Sequence, residues 1–149
     1  MDIGIRYKSV EARKYSNAPS QVNIGNNSTI QSLSKFNGKL SIGFVFTSNY
    51  EPNVGVIRIE GELMYSDEKD EIERISHEWE QSGRKKIPDD KAQVIHNTIL
   101  SNCIVEAAIL SRDIQLPPPF PTPQVSFGDK GKGEKVAKDV DRSQIDYIR

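Results

Sequence analysis

Between Lys39 and Tyr65 the apolar residues fall on every second position, twice over. Leu40, Ile42, Phe44 and Phe46 share one side of KLSIGFVFTSNY. After EPNVG, residues 51–55, Ile57, Ile59, Gly61, Leu63 and Tyr65 share one side of VIRIEGELMY, with Arg58, Glu60 and Glu62 on the other. Alternation with a period of two is the pattern of a half-buried strand, and a short turn between two such strands makes them antiparallel partners. Two neighbouring strands that are each apolar on one side create a face that other elements must cover.

The chain after Tyr65 supplies helical patterns. SDEKDEIERISHEWEQSG predicts a first helix with Ser66 or Asp67 as N-cap, acids in its first turn, Ile72, Ile75 and Trp79 on one side, and Gly83 at its end. Pro88 and Asp89 open a second, over 90–113. Its apolar residues, from Val94 through Leu100, Ile104 and Ala108 to Leu110, exceed one stripe, and between Asn97 and Ser111 the only charge is Glu106. A helix apolar on nearly all sides needs cover on nearly all sides, and a small sheet covers one. The rest must come from the proline-rich segment that follows, from the first helix, or from another subunit. Leu100, Ile104 and Ala108 are the expected interface positions on this helix, and a homo-oligomer through it is the expected assembly.

Ahead of the hairpin, Ile3, Ile5 and Tyr7 alternate in one phase and Val10 and Ala12 in the other, which predicts a strand bulged near Lys8 and Ser9 and ended by Asn17, Ala18 and Pro19. Residues 20–38 carry only Val22, Ile24, Ile30, Leu33 and Phe36 among Asn, Ser and Gly, and are expected to form a long irregular connection with a short strand. The sum is an α+β fold: an antiparallel sheet with the helices packed on one face.

RDIQLPPPFPTPQVSF closes the helical part. Pro117, Pro118, Pro119, Pro121 and Pro123 can continue neither a helix nor a central strand, so the chain must run extended. Leu116, Phe120, Val125 and Phe127 give this arm, residues 116–127, apolar anchors, and Phe120 and Phe127 are expected interface residues. Residues 128–149 read as a flexible or partner-ordered tail. In it Lys130, Lys132 and Lys135 form a candidate contact strip for RNA or a protein partner, and Ile145 and Tyr147 a candidate docking peptide. Residues 1–127 are expected to form one domain.

Apolar residues make up 36% and charged residues 28% of the 149, with a net charge of −1. That balance excludes a broad phosphate-neutralising face and leaves Arg84, Lys85 and Lys86 as the compact basic cluster of the domain, a candidate RNA or partner contact. No basic-then-apolar leader opens the chain and no run of about 18 apolar residues interrupts it, so the expectation is a soluble cytoplasmic protein with no membrane partner. The one cysteine, Cys103, reads as a small core residue.

Chemistry finds no anchor. GDKGKGEK lacks the preceding strand, following helix and Ser or Thr of a phosphate-binding loop. His77 and His96 have no partner at metal-ligand spacing, and the acids from Asp67 to Glu73 fit a helix start. No nucleophile elbow is present. The expectation is a non-enzymatic protein without metal or cofactor.

The order of features resembles the SecB-like fold, and specifically the small SecB-like proteins of archaea. The resemblance rests on SVEARKYSNAP, on the hairpin LSIGFVFTSNYEPNVGVIRIEGELMY, and on HNTILSNCIVEAAILSRDIQLPPPFPTPQVSF, and spans about residues 3–127. It implies a SecB-like sheet of about four strands with two helices on one face. Two departures stand out: a charged helix over 67–82 where the bacterial chaperone has a shorter connection, and a basic-leaning tail in place of an acidic one. The resemblance implies a protein-binding module. The expectation placed first is an archaeal ribosome-associated or ribosomal protein, a ribonucleoprotein component docked partly through its tail. The alternative is a SecB-type holdase that binds unfolded or nascent chains as an oligomer.

Overall fold

The structure, a computed structural model, describes residues 1–17 and 21–120. Four strands come first, β1 (Asp2–Lys14), β2 (Asn23–Phe36), β3 (Lys39–Glu51) and β4 (Gly55–Ser66), then two helices, α1 (Lys69–Gln81) and α2 (Asp89–Asp113). They make one antiparallel sheet in the order β1-β4-β3-β2. The chain therefore crosses from one sheet edge to the other after β1 and returns as a meander. Both helices lie on one face: α2 touches all four strands, and α1 lies against β2.

The alternation read from the sequence sets that face. Leu40, Ile42, Phe44, Phe46 and Tyr50 of β3 and Ile57, Ile59, Leu63 and Tyr65 of β4 are buried beneath the helices. Each such side chain contributes about 1.5–3 kcal/mol through burial. Phe44 pairs with Gly61, and a Cβ on Gly61 would lie 2.8 Å from the Phe44 ring and 2.5 Å from the Arg6 carbonyl of β1. Glycine is what lets the ring lie across the strand. In β1 the register shifts between Tyr7 and Ser9, so Ile3, Ile5, Tyr7, Val10 and Ala12 all sit opposite core positions of β4 despite the break in their alternation.

Residues 23–36 differ from the irregular connection expected of them. They form a continuous strand joined to β3 by a two-residue turn, Asn37-Gly38, with φ of 54° and 76°, the twist that suits a tight hairpin. Two causes masked the strand. Its register shifts between Ile30 and Ser32, which moves Leu33 onto the core face. In addition β2 is an edge strand, so its core-facing positions tolerate Asn26, Ser28 and Lys35.

The first helix starts later than expected. Its N-cap is Glu68, without a side-chain cap bond, and neither Ser66 nor Asp67 caps it. The Asp67 carboxylate is instead engaged by the Tyr65 hydroxyl at 2.7 Å, the Glu68 N–H at 2.8 Å and the Lys91 ammonium at 3.3 Å. A buried tyrosine requires an acceptor, and Asp67 provides it one residue outside the helix. Ile72, Ile75 and Trp79 face inward as expected. The second helix buries Ile95, Ile99, Cys103, Ala107 and Ser111, a stripe that winds around the helix at spacings of four. It has the length and apolarity of a membrane span, but core helices share both properties and this stripe lies on the sheet.

Its end is built before the prolines begin. Gln115 adopts a φ of 60°, and the Leu116 N–H reaches back to the Ser111 carbonyl at 2.8 Å, a left-handed closure with Leu116 tucked into the core. The Pro117 carbonyl then accepts from the Tyr50 hydroxyl at 2.7 Å, and the Pro119 carbonyl from Asn26 at 2.8 Å. Residues 116–120 thus cross the end of the sheet from β3 towards β2. The remainder of the arm, with Phe127, and the tail lie outside the described residues.

Two outcomes are expected from this packing. Gly61→Ala should destabilise the protein by about 1–3 kcal/mol, read as a lower urea midpoint, because strand backbone cannot move aside as a side-chain end can. The Asp67 carboxyl is held at about 2, first by the Tyr65 hydroxyl and then by the Glu68 N–H. Its contribution is complete above the ordinary carboxylate pKa and is lost as pH falls from there through the lowered folded value of about 2. Asp67→Asn should therefore flatten the acid limb of a stability–pH curve measured by denaturant melts.

Candidate polypeptide-binding surfaces

The winding stripe of α2 leaves an outward side. Val105 is 61% exposed and Ile109 45%, one turn apart, flanked by half-buried Ile104 and Ala108. Leu100 and Ile104 also pack against the core; Ile104 and Ala108 flank the crest formed by Val105 and Ile109, whereas Leu100, nine positions before Ile109, lies on the opposite side of the helix. Exposed Ser101, Asn102 and Arg112, at helical spacing from Val105 and Ile109, mark this side as outward, a signal that the count of apolar residues along the helix does not use. Phe120, 39% exposed, is the last described residue of the arm. The arm leaves towards Asn26 and Tyr50, so among the described residues nothing covers the ridge.

A second surface lies at the other end of α2. A cleft of about 270 Å³ opens between Ser28, Thr29 and Ile30 of β2 and the turn joining the helices. Trp79 and Ile87, both buried, form its floor with Ala92, and Lys85, Lys86, Asp89 and His96 line it as well. It runs along the edge strand, whose outer backbone groups have no strand partner among the described residues. His96 Nδ1 and Ser28 Oγ lie 2.5 Å apart, joining α2 to β2, and burial pulls the imidazole pKa below its ordinary value. Ser28 and His96 stand 68 positions apart, and no sequence spacing signals the pair.

A serine against a histidine is the first half of a nucleophile–base pair, but acyl chemistry also needs a group that orients the second ring nitrogen and donors for an oxyanion. Among the described residues no carboxylate bonds that nitrogen, and the pair acts as a tie between helix and strand. Nor, among the described residues, do three His, Cys, Asp or Glu side chains gather into a metal site. Cys103 is buried and its thiol is pushed up to about 12 by desolvation, the state of an inert core residue. His77 is exposed on α1.

The basic cluster divides. Arg84 lies 3.5 Å from Glu80 and Lys86 3.9 Å from Glu78, while Lys85 makes no ion pair among the described residues. Lys85 and Lys86 line the cleft; Arg84 does not. Lys130, Lys132, Lys135, Ile145 and Tyr147 fall outside the described residues.

No protein-family model matches the chain, and no curated protein matches it. Among solved structures it is similar to the SecB-like chaperone of Mycobacterium tuberculosis in complex with a ChAD peptide from the HigA1 antitoxin. The TM-score is 0.54 at 13% sequence identity, over 86% of this chain and 92% of that one. The chain has a SecB-like fold.

The tie between α2 and β2 has a pH signature. The folded protein holds His96 neutral more strongly than the unfolded chain does, so its contribution is complete above the ordinary histidine pKa and is lost as pH falls from there through the lowered folded value. His96→Gln should remove that part of the stability loss between about pH 7 and 5, measured by urea midpoints.

Proposed function

We propose that the protein is a non-enzymatic polypeptide-binding module, a holdase that engages unfolded or nascent chains and works as a homo-oligomer. The observation that carries this reading is the apolar ridge of α2, where Val105 and Ile109 face outward with no charge but Glu106 between Asn97 and Ser111. Adjacent exposed apolar side chains on a helix suit a contact with another polypeptide, which would take them out of water. The ridge suits a second copy of the chain, since an identical helix presents the same Val105 and Ile109 side chains for a two-fold contact. The cleft beside β2 suits the client: an extended segment laid along a free strand edge gains main-chain hydrogen bonds, and the Trp79–Ile87 floor receives one of its apolar side chains. The peptide-bound state of the SecB-like chaperone supports a polypeptide as the ligand class.

The ribosome-associated reading rests on residues 128–149 and on the cluster Arg84–Lys86. Arg84 already faces Glu80 at 3.5 Å, and the two lysines beside it are too few to hold RNA through its phosphates. No described residue favours that reading over the holdase.

The test is suppression of aggregation when a chemically unfolded client is diluted from denaturant. The protein should suppress light scattering at near-stoichiometric ratios, and an inert outcome with several clients would sink the holdase reading. Val105→Asp with Ile109→Asp should keep the fold, because both side chains are exposed, and reduce the mass by light scattering to that of one chain. An unchanged mass would remove the ridge as the contact between copies. Co-migration with a ribosomal subunit through moderate salt would return the ribosomal reading to first place.

A further inference from the structure

The cleft is asymmetric in charge, and that asymmetry bears on which segments it accepts. The turn carrying Lys85 and Lys86 is rigidly built. Gly83 and Arg84 take φ of 75° and 63°, the Arg84 N–H bonds the Trp79 carbonyl at 2.7 Å, and the Gly83 N–H bonds the Glu80 carbonyl at 3.2 Å. Ser82 Oγ then accepts the N–H groups of Lys85 at 3.2 Å and Lys86 at 3.0 Å. Both lysines therefore project from backbone that needs no ordering when a ligand arrives.

Their charges are available to a ligand. Lys85 has no ion pair among the described residues, and Lys86 has only the contact with Glu78 at 3.9 Å. Asp90, next along α2, is occupied by Arg74 at 2.8 Å, which leaves Asp89 as the single acid lining the cleft. Residues 23–36, the strand along which a segment would lie, contain no acid at all; their one charge is Lys35, held by Glu73 at 2.9 Å. The opposite sheet edge, β1, mixes both signs, with Asp2 and Glu11 among Arg6, Lys8, Arg13 and Lys14.

Resting on the polypeptide-binding reading, we propose that the cleft selects extended segments in which an aspartate or glutamate adjoins a large apolar residue. The carboxylate meets Lys85 and Lys86 at the rim, and the apolar side chain lies on Trp79 and Ile87. Segments with a lysine or arginine in the same place meet like charge and are discriminated against.

The experiment is fluorescence anisotropy on the full chain with labelled peptides of about ten residues. The peptides are identical apart from one position beside a phenylalanine, filled by Glu, Gln or Lys. The Glu peptide should bind about three- to tenfold more tightly than the Gln peptide and the Lys peptide more weakly than either, the range expected for two solvent-exposed charge contacts. Raising salt from about 20 to about 500 mM should compress the differences. Lys85→Glu with Lys86→Glu should reverse the order, and Lys85→Gln with Lys86→Gln should level it while the Gln peptide binds as before. Equal binding of all three peptides, or an order unmoved by the charge reversal, would overturn the selection and leave polypeptide binding standing. A protein that binds none of the three would overturn both.

Discussion

Phe44 lies across Gly61 at the centre of the sheet, and the rest of the molecule is arranged around the face those residues occupy. Two adjacent strands, β3 and β4, bring nine large apolar side chains to that side, all under cover. Hydrophobic burial on this scale fixes register, because a one-residue slip of β3 against β4 would turn the inward side chains of β3 to the outer face. It also dictates that α2 must lie across all four strands, since no other described element is long and apolar enough to close the face.

That placement has a consequence for the outer side of the same helix. An element apolar nearly all round can bury only the stripe that the sheet faces, and the stripe of Ile95, Ile99, Cys103, Ala107 and Ser111 uses it up. Val105 and Ile109 remain outside, so the surface available for association follows from the composition of the helix that closes the core. The cleft has a different origin. It lies where the sheet edge, the capped end of α1 and the start of α2 meet, and its polar lining comes from chain segments that the core does not need.

Polar ties hold the elements in place where apolar packing is thin. Asp67 binds the end of β4 to the start of α2 through Tyr65 and Lys91, His96 binds α2 to the edge strand, and Tyr50 and Asn26 hold the backbone of residues 117–119. Each joins positions far apart in the chain or competes with a local role, as Asp67 does when it serves Tyr65 and leaves the helix N-cap to Glu68. Such choices are invisible to local pattern because the competing partner arrives only with the tertiary structure.

What the sequence determined by itself was the periodic part. The alternation of β3 and β4, the phase break in β1 between Tyr7 and Ser9, the inward side of α1 and the excess apolarity of α2 are all local patterns, and local patterns follow from side chains that must face in or out together. The SecB-like fold was legible in their order. Only the tertiary structure decided the rest. It made a strand of 23–36, where an edge position relaxes the need for apolar residues, and it left Val105 and Ile109 outside on the face they share with Ser101, Asn102 and Arg112. It also gathered Ser28, Trp79, Lys85 and His96 from three elements and a turn into one cleft. Those outcomes depend on which surfaces remain after the core is closed, and that is a property of the packed whole.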